Sequence, residues 1–545
     1  LGAGLSARQQ QAIAEFSFDD LTAVLHPTFE PASGSGDVVV LTTGLAASPG
    51  AASGLAAVGS DAALDLVSAG STVILIATET TPADVAAMGL SAGILTARGG
   101  LASHAAVVAR GWGIPAVCDA REITVEADSF TVGGRRIANG TPISIDGSTG
   151  EVTLGNREVA GSAVGDAGPS SGPGSSSGSG PVAGPGSALP AGIAGSAAAD
   201  GGVGSVPAVA LPAEIAEVLD WADRVAAGRF AVLANADTAA DAATARALGA
   251  QGIGLCRTEH MFLEPDRLEI VQHVVLRGHD EHVDDLATAQ RADFRELLAA
   301  MDGLPVTVRL LDAPMHEFLA GADADEAAQW HEHNPMLGVR GVRLGLLRPE
   351  LYAAQVAALA GAVADRRAAG GDPRVEIMVP LVSTAGELAA AIAAVRSAWE
   401  NADAGPAPPI GTMIETPRAC LIAGDLAAGV SFVSFGTNDL TQMVFGFSRD
   451  DTAAQVIAPY VADGLLDADP FASLDRAGVG ELVSTAMERG RAANPNLRAG
   501  ICGEHGGDPA SIEFATQAGL DYVSCSPYRV PAARLAAAQA LLTGK

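Results

Sequence analysis

Between residues 230 and 528 the chain repeats one phrase eight times: a short apolar run that closes on a polar or charged cluster, then an alanine-rich helical stretch. The runs are "FAVLANAD", "GIGLCRTE", "VTVRLLD", "VEIMVPLV", "GTMIETP", "FVSFGTND", "RAGICGE" and "DYVSCSP". Segments such as "TAADAATARALGA" and "TAGELAAAIAAVRSAWE" lie between them. Continuous apolar runs alternating with helices are the pattern of a parallel sheet covered on its outer face. Eight such units in residues 211–545 predict a (β/α)8 barrel. In that fold, chemistry sits at the C-terminal ends of the strands, and here those ends carry Arg257, Arg309, Glu415, Asn438, Asp439 and Cys502.

A second unit precedes the barrel. Residues 156–210 are Gly, Ser, Pro and Ala with few charges or large apolar groups, too little to bury for folding, so they read as a linker. As a flexible coil that segment spans roughly 40 Å. Residues 41–155 on its other side mix strands ("STVILIAT", "GILTA", "IPAV"), helices ("TPADVAAMG", "SHAAVVARG") and a hairpin ("TPISIDGSTGEVTL"), which predicts a compact α/β domain. Residues 1–40 form a helical lead-in, "SARQQQAIAEF" and "DDLTAVLHP", that ends in a Gly/Ser turn and reads as the tail of something larger.

Composition removes several functions. A formal net charge of −31 argues against a nucleic-acid partner. Lys545 is the only lysine, so a P-loop-type phosphate lysine is absent and every other fixed cation is an arginine. Five scattered cysteines without a C-x-x-C pair fit reduced thiols in a cytoplasmic protein. No apolar run is long enough to span a bilayer.

The stretch "TARGGLASHAAVVARG", residues 96–111, places His104 at the first turn of an apolar helix that closes on Gly111, behind Gly99 and Gly100. Ser103 is the N-cap candidate. A helix N-terminus offers unpaired N–H groups and the positive end of the dipole, which favour an anion. With no second histidine or cysteine nearby, His104 is a poor metal ligand and a good carrier for a phosphoryl group, and the glycines let a bulky partner approach.

At the barrel mouth, Glu415 and Asp439 close neighbouring strands and can share one hard cation with open positions for substrate oxygens, which suits Mg²⁺. Arg257 and Arg309 offer forked donors for phosphate or carboxylate, and Arg340 and Arg343 in "NPMLGVRGVRLG" add two more. Thr437 and Asn438 of "GTND" are neutral donors for a substrate carboxylate. Cys502 is a candidate proton donor to a carbanion-like carbon, and Cys525 at the end of the eighth strand competes for that role. Together these predict phosphoryl transfer between the enol phosphate of a small carboxylic acid and a histidine.

The residues also carry a resemblance. "TARGGLASHAAVVARG" resembles the phosphohistidine swivelling domain of the phosphoenolpyruvate-utilising enzymes. "GIGLCRTEHMFLEPDR", "VTVRLLDAPMHEFL", "NPMLGVRG", "GTMIETPRACLIAGDLA", "SFGTNDLTQMVFGFSRDD" and "GICGEHGGDP" are similar to the barrel of that family's pyruvate, phosphate dikinases. The resemblance implies that His104 carries the phosphoryl group. It implies further that Arg257, Arg309 and Arg340 bind substrate, Glu415 and Asp439 hold Mg²⁺, Gly436, Thr437 and Asn438 form the substrate loop, and Cys502 protonates the enolate of pyruvate. It also implies a partner nucleotide domain of the ATP-grasp type, in cis or in trans, and a homodimer through the barrel. An Enzyme I-like phosphocarrier that passes the group to a partner protein is the alternative. Three departures stand out: the ATP-grasp domain is missing from this chain, the linker is long, and the usual threonine two places before the histidine is Ala102.

Overall fold

The computed structural model describes residues 4–30, 39–81, 84–100, 103–160, 211–262, 265–277, 282–319, 328, 330 and 332–544. Most of the linker, residues 161–210, therefore lies outside the described residues, as do the Gly/Ser turn after the lead-in and Ala102.

The eight predicted strands close into a parallel barrel: Ala231–Asn235, Ile253–Arg257, Pro305–Arg309, Arg374–Val379, Ile410–Ile414, Phe432–Gly436, Arg498–Cys502 and Tyr522–Cys525. Each pairs with the next in sequence, and the eighth returns to the first through Ala231↔Tyr522. Side chains facing outward join the surrounding helices in one large core. At the N-terminal end the lumen is plugged by a polar cluster: Glu376 accepts from Thr307 Oγ1 at 2.8 Å and from Arg498, whose guanidinium lies over the Phe432 and Tyr522 rings. Closing that end leaves the opposite end as the open one, where the strands terminate in charge.

The smaller domain is built on an eight-stranded mixed sheet. Its order is Val40–Thr43, Glu151–Leu154, Pro142–Asp146, Ala51–Val58, Val73–Ala77, Gly93–Thr96, Ala116–Cys118 and Leu45–Ser48. The four strands from Ala51–Val58 to Ala116–Cys118 are parallel and the outer ones antiparallel. One face packs on a small three-stranded sheet through Phe130 and Ile137; the other receives helices that include His104–Trp112. Ala105, Ala106 and Ala109 line that helix's buried face, and their small side chains set it close on the sheet. The helix does not close on Gly111. It runs to Trp112 and is capped by Gly113 at φ +68°, because Gly113 is the position that takes the left-handed conformation ending the helix.

One boundary differs from expectation. Residues 156–160 are ordered rather than linker: Val159–Ala160 pairs with Thr28–Phe29, and the Arg157 guanidinium sits 3.8 Å over the Phe29 ring. The lead-in helices, Ala7–Glu15 and Phe18–Leu25, pack on the barrel. Ile13, Leu21 and Leu25 form a core with Ile215, Leu219 and Leu535, and Gln539 Nε2 donates to the carbonyls of Ile13 and Phe16. Among the described residues no helix is long and apolar enough to cross a membrane.

Candidate functional site

Strand register sets the first contacts at the mouth. Arg257 and Arg309 are direct cross-strand neighbours at the ends of strands two and three, and Gly436 and Cys502 are neighbours at the ends of six and seven. Asp312, three residues past Arg309, organises the charges between them. Its Oδ1 accepts from Arg340 Nε at 3.0 Å; its Oδ2 accepts from Arg340 Nη2 at 2.8 Å and pairs with Arg309 Nη1 at 3.0 Å. Arg340 Nη2 reaches on to Asp439 Oδ2 at 2.9 Å, and Arg309 pairs with Glu259 on its other side. The result is an alternating chain, Glu259–Arg309–Asp312–Arg340–Asp439, with every member buried. Burial alone would weaken the arginines' hold on their protons, but Glu259 and Asp312 overcompensate and raise Arg309, as Asp312 and Asp439 raise Arg340.

Glu415 follows strand five and is 1% exposed. Its Oε1 accepts from the Leu381 N–H, and Leu381 is held at φ +54°, a strained backbone for a leucine. A Cβ at Gly436 would lie 2.6 Å from Glu415 Oε2, so glycine there is what leaves that oxygen its place. Burial, then Asp312 and Asp439, push the Glu415 carboxyl well above its ordinary range against the pull of Arg340 and Arg309. One oxygen each of Asp312, Glu415 and Asp439 lie within 4.8 Å of one another. Three crowded carboxylates, one of them with its proton affinity raised, suit a hard divalent cation. Asp312 has both oxygens committed to arginines. Glu415 Oε2 and Asp439 Oδ1 are the oxygens outside the arginine network, the latter 3.4 Å from Gln442 Nε2. Glu415 and Asp439 thus offer open carboxylate oxygens to such a cation.

Arg257 differs from the other two arginines. Asp237 clamps it from below, accepting from its backbone N–H at 2.6 Å, from Nε at 3.0 Å and from Nη2 at 2.8 Å, while also meeting His260 Nδ1 at 2.9 Å. Burial would raise Asp237, but Arg257 and His260 hold it well below the carboxylate range. The Arg257 side chain is 35% exposed against 4% for Arg340, so it is the cation best placed to meet a ligand arriving from solvent.

Cys502 shares a small cluster with Leu255, Met378, Met413 and Phe432, drawn from five different strands, so its thiol faces the lumen. Burial pushes that thiol up to about 11, which keeps it protonated at neutral pH. Cys525 belongs instead to the helix-facing core, away from the lumen. Beside Cys502, His505 is fully buried and bridges Thr437 Oγ1 at 2.7 Å and the Pro470 carbonyl at 2.9 Å. Asn438 Oδ1 and Arg309 Nε are buried without a hydrogen-bond partner among the described residues, as expected of groups set for a ligand.

His104 opens its helix as predicted, with Ser103 as N-cap accepting from Ala106 N–H at 3.4 Å; the imidazole lies outside the described side chains. The helix faces the barrel mouth. A Cβ at Gly100 would come 3.5 Å from Ala453, one at Gly113 would collide with the Tyr528 ring, and Arg110 reaches Glu504. Of the glycine pair, Gly100 lies beside Ala453 of the barrel domain, while Gly99 packs against Ser103 of its own helix.

Arg343 does not join the mouth. Its guanidinium donates to the Leu337 and Gly338 carbonyls and ties down their loop. Asp237, Glu259, Asp312 and His505 were not singled out from sequence. Three of them close the quoted strand runs, so their position carried the signal; what it did not carry is that buried arginines need partners before they can serve a substrate.

The PEP-binding domain of the PEP-utilising enzymes matches residues 213–542, and the mobile domain of the same enzymes matches residues 70–150. The chain is 45% identical, over 97% of its length, to the chloroplastic pyruvate, phosphate dikinase of Flaveria bidentis, covering 54% of that protein. It is 43% identical over 99% of its length to the chloroplastic pyruvate, phosphate dikinase 1 of Arabidopsis thaliana, again covering 54%. Against pyruvate, phosphate dikinase 2 of Oryza sativa subsp. japonica it is 44% identical over 96%, covering 56%. The chain spans about half the length of the curated relatives it matches.

Proposed function

Since this chain belongs to the PEP-utilising enzymes, we propose that it moves a phosphoryl group between phosphoenolpyruvate and His104, the half of the pyruvate, phosphate dikinase reaction that needs no nucleotide. What carries the reading is the meeting of two features: a capped helix that begins at His104 and faces the barrel, and a mouth that pairs arginines with a crowded carboxylate cluster.

In this reading Arg257 and Arg309 donate to the substrate phosphate and hold it in line with the imidazole. Arg340 keeps Asp439 and Asp312 in place. Thr437 and Asn438, starting a helix, turn donors toward the substrate carboxylate. The phosphorus–oxygen bond to the enol breaks as the phosphorus–nitrogen bond to His104 forms. The enolate left behind takes a proton on its methylene carbon from the Cys502 thiol and becomes pyruvate. Mg²⁺ on Glu415 and Asp439 supplies a Lewis acid for the substrate's oxygens. Gly436 keeps the backbone close beneath them.

The complete reaction, ATP + pyruvate + phosphate to AMP + phosphoenolpyruvate + diphosphate, then calls for an ATP-grasp nucleotide domain in cis or in trans, with a second copy of the chain docking through the barrel. The five described cysteines are free and buried, which suits a cytoplasmic setting.

The test is direct. Phosphoenolpyruvate labelled in its phosphate, with Mg²⁺, gives an acid-labile label on the protein, and His104→Ala abolishes it. Label persisting in that variant rejects the assignment. An Enzyme I-like carrier would pass the label to a histidine on a separate protein instead of to AMP on a supplied nucleotide domain.

A further inference from the structure

We propose that Arg110 and Glu504 form a docking latch that seats the histidine helix on the barrel mouth and couples its arrival to the substrate loop. The proposal rests on the phosphotransfer reading above and concerns how the two domains meet.

Arg110 lies six residues after His104 on one continuous helix, about 9 Å along its axis, so fixing Arg110 fixes where His104 starts. Its Nη1 donates to the Ala47 carbonyl at 2.9 Å inside its own domain, which pre-aims the rest of the guanidinium. Nε and Nη2 both come within 3.4 Å of Glu504 Oε2, on the loop after barrel strand seven. The two side chains are 11% and 19% exposed, so the pair is largely out of water between the domains. On the barrel side Glu504 is already anchored. Arg529 pairs with its carboxylate at 3.5 Å and donates to its carbonyl at 3.1 Å. Burial would raise the Glu504 carboxyl, but Arg110, Arg529 and Arg449 outweigh it and keep the anion ready.

Glu504 also stands in the chain between Cys502 and His505. The His505 ring holds Thr437 of the substrate loop, and a Cβ at Gly503 would lie 3.3 Å from the Asn438 amide. A pull on Glu504 is therefore felt within two residues by the proton donor and, through one hydrogen bond, by the loop that faces the substrate carboxylate. Arg110 touches no substrate; it is a positioning residue. The geometry also suits release. When the helix leaves, Glu504 keeps Arg529 while Arg110 returns to water, so undocking strands no buried charge on the barrel.

The experiment is a double-mutant cycle on the rate of His104 labelling from phosphoenolpyruvate, in the full chain with Mg²⁺. Arg110→Ala and Glu504→Ala each slow labelling about tenfold, and the double variant is no slower than the slower single one. KM for phosphoenolpyruvate and binding of oxalate with Mg²⁺ to the barrel stay within about twofold in Arg110→Ala, since the loss falls on the transfer step. Arg110→Lys restores most of the rate, which separates charge pairing from a packing defect. Labelling at the wild-type rate in Arg110→Ala overturns the latch, as do multiplicative losses in the double variant or an Arg110→Lys as slow as Arg110→Ala. A wild-type chain that takes no label sinks the phosphotransfer reading itself, and the latch with it.

Discussion

In the smaller domain the proposed carrier residue opens a helix packed through small side chains, and Ser103 caps that helix. At the barrel mouth, by contrast, charged groups from several strand ends and loops are cross-braced, with Arg257, Arg309 and Arg340 each held by at least one carboxylate. A carrier must fit two places in turn, so its reactive end stays simple and its packing face does the holding. A receiving site binds a small polyanion through charges that would otherwise scatter, so it fixes them in advance. Changes at the mouth should therefore be costly out of proportion to their size, and changes on the carrier mild unless they touch docking.

Asp312→Ala probes the mouth most severely. It strips one carboxylate from two buried arginines, and breaking buried pairs of this kind costs about 3–5 kcal/mol. Chemical denaturation should register that loss, with labelling of His104 down by about 10³-fold or more as Arg309 and Arg340 lose their orientation. A stable Asp312→Ala protein with near-normal labelling would mean that the bracing is ornamental. Gly436→Ala comes next. The fold survives, but the new Cβ displaces Glu415, and a shift of that size costs about 10²-fold in labelling. Measuring Mg²⁺ affinity in the same variant shows whether the loss passes through the carboxylate pair.

Cys502→Ala separates transfer from protonation. Label on His104 still forms, while exchange of pyruvate methyl protons with solvent drops about 10²–10⁴-fold. The wild-type thiol is raised to about 11, so it is protonated throughout the neutral range and loses its proton only as pH climbs through that value. Exchange limited by this donor is flat near neutrality and falls on approach to pH 11. A fall centred near the ordinary thiol range would place Cys502 in a wetter setting than the lumen cluster with Leu255 and Phe432.

The contrast also explains what the sequence allowed to be read. All eight barrel strands were legible because buried parallel strands are unbroken apolar runs, and each ends in the residues that reach the mouth. Cys502 could be placed at a strand end but not told from Cys525, since facing lumen or helix depends on strand register. Arg340 and Arg343 sit three apart in the same phrase, yet one is buried between two aspartates and the other ties a loop. Nothing local distinguishes them, because the partners of Arg340 come from 28 and 99 positions away. Docking was invisible for the same reason: Arg110 and Glu504 stand 394 positions apart, with the linker between them.

The mildest prediction falls on the carrier, where two glycines two residues apart should answer oppositely. Gly111 lies inside the helix with nothing within 4 Å of its Cβ direction, so Gly111→Ala should stabilise the domain by about 0.5–1 kcal/mol and leave labelling unchanged. Gly113 adopts φ +68° and its Cβ would press within 2.8 Å of Tyr528 across the domain boundary. Gly113→Ala should therefore lower the melting temperature slightly, by strain worth about 1 kcal/mol, and slow labelling more than that strain explains. Comparing it with Gly113→Ala in a Tyr528→Ala background isolates the second part. If removing the ring restores the rate but not the melting temperature, the helix cap and the docking contact are separate demands on one residue. If neither quantity recovers, Tyr528 does not gate the approach, and Arg110 is left as the principal contact through which the barrel holds its carrier.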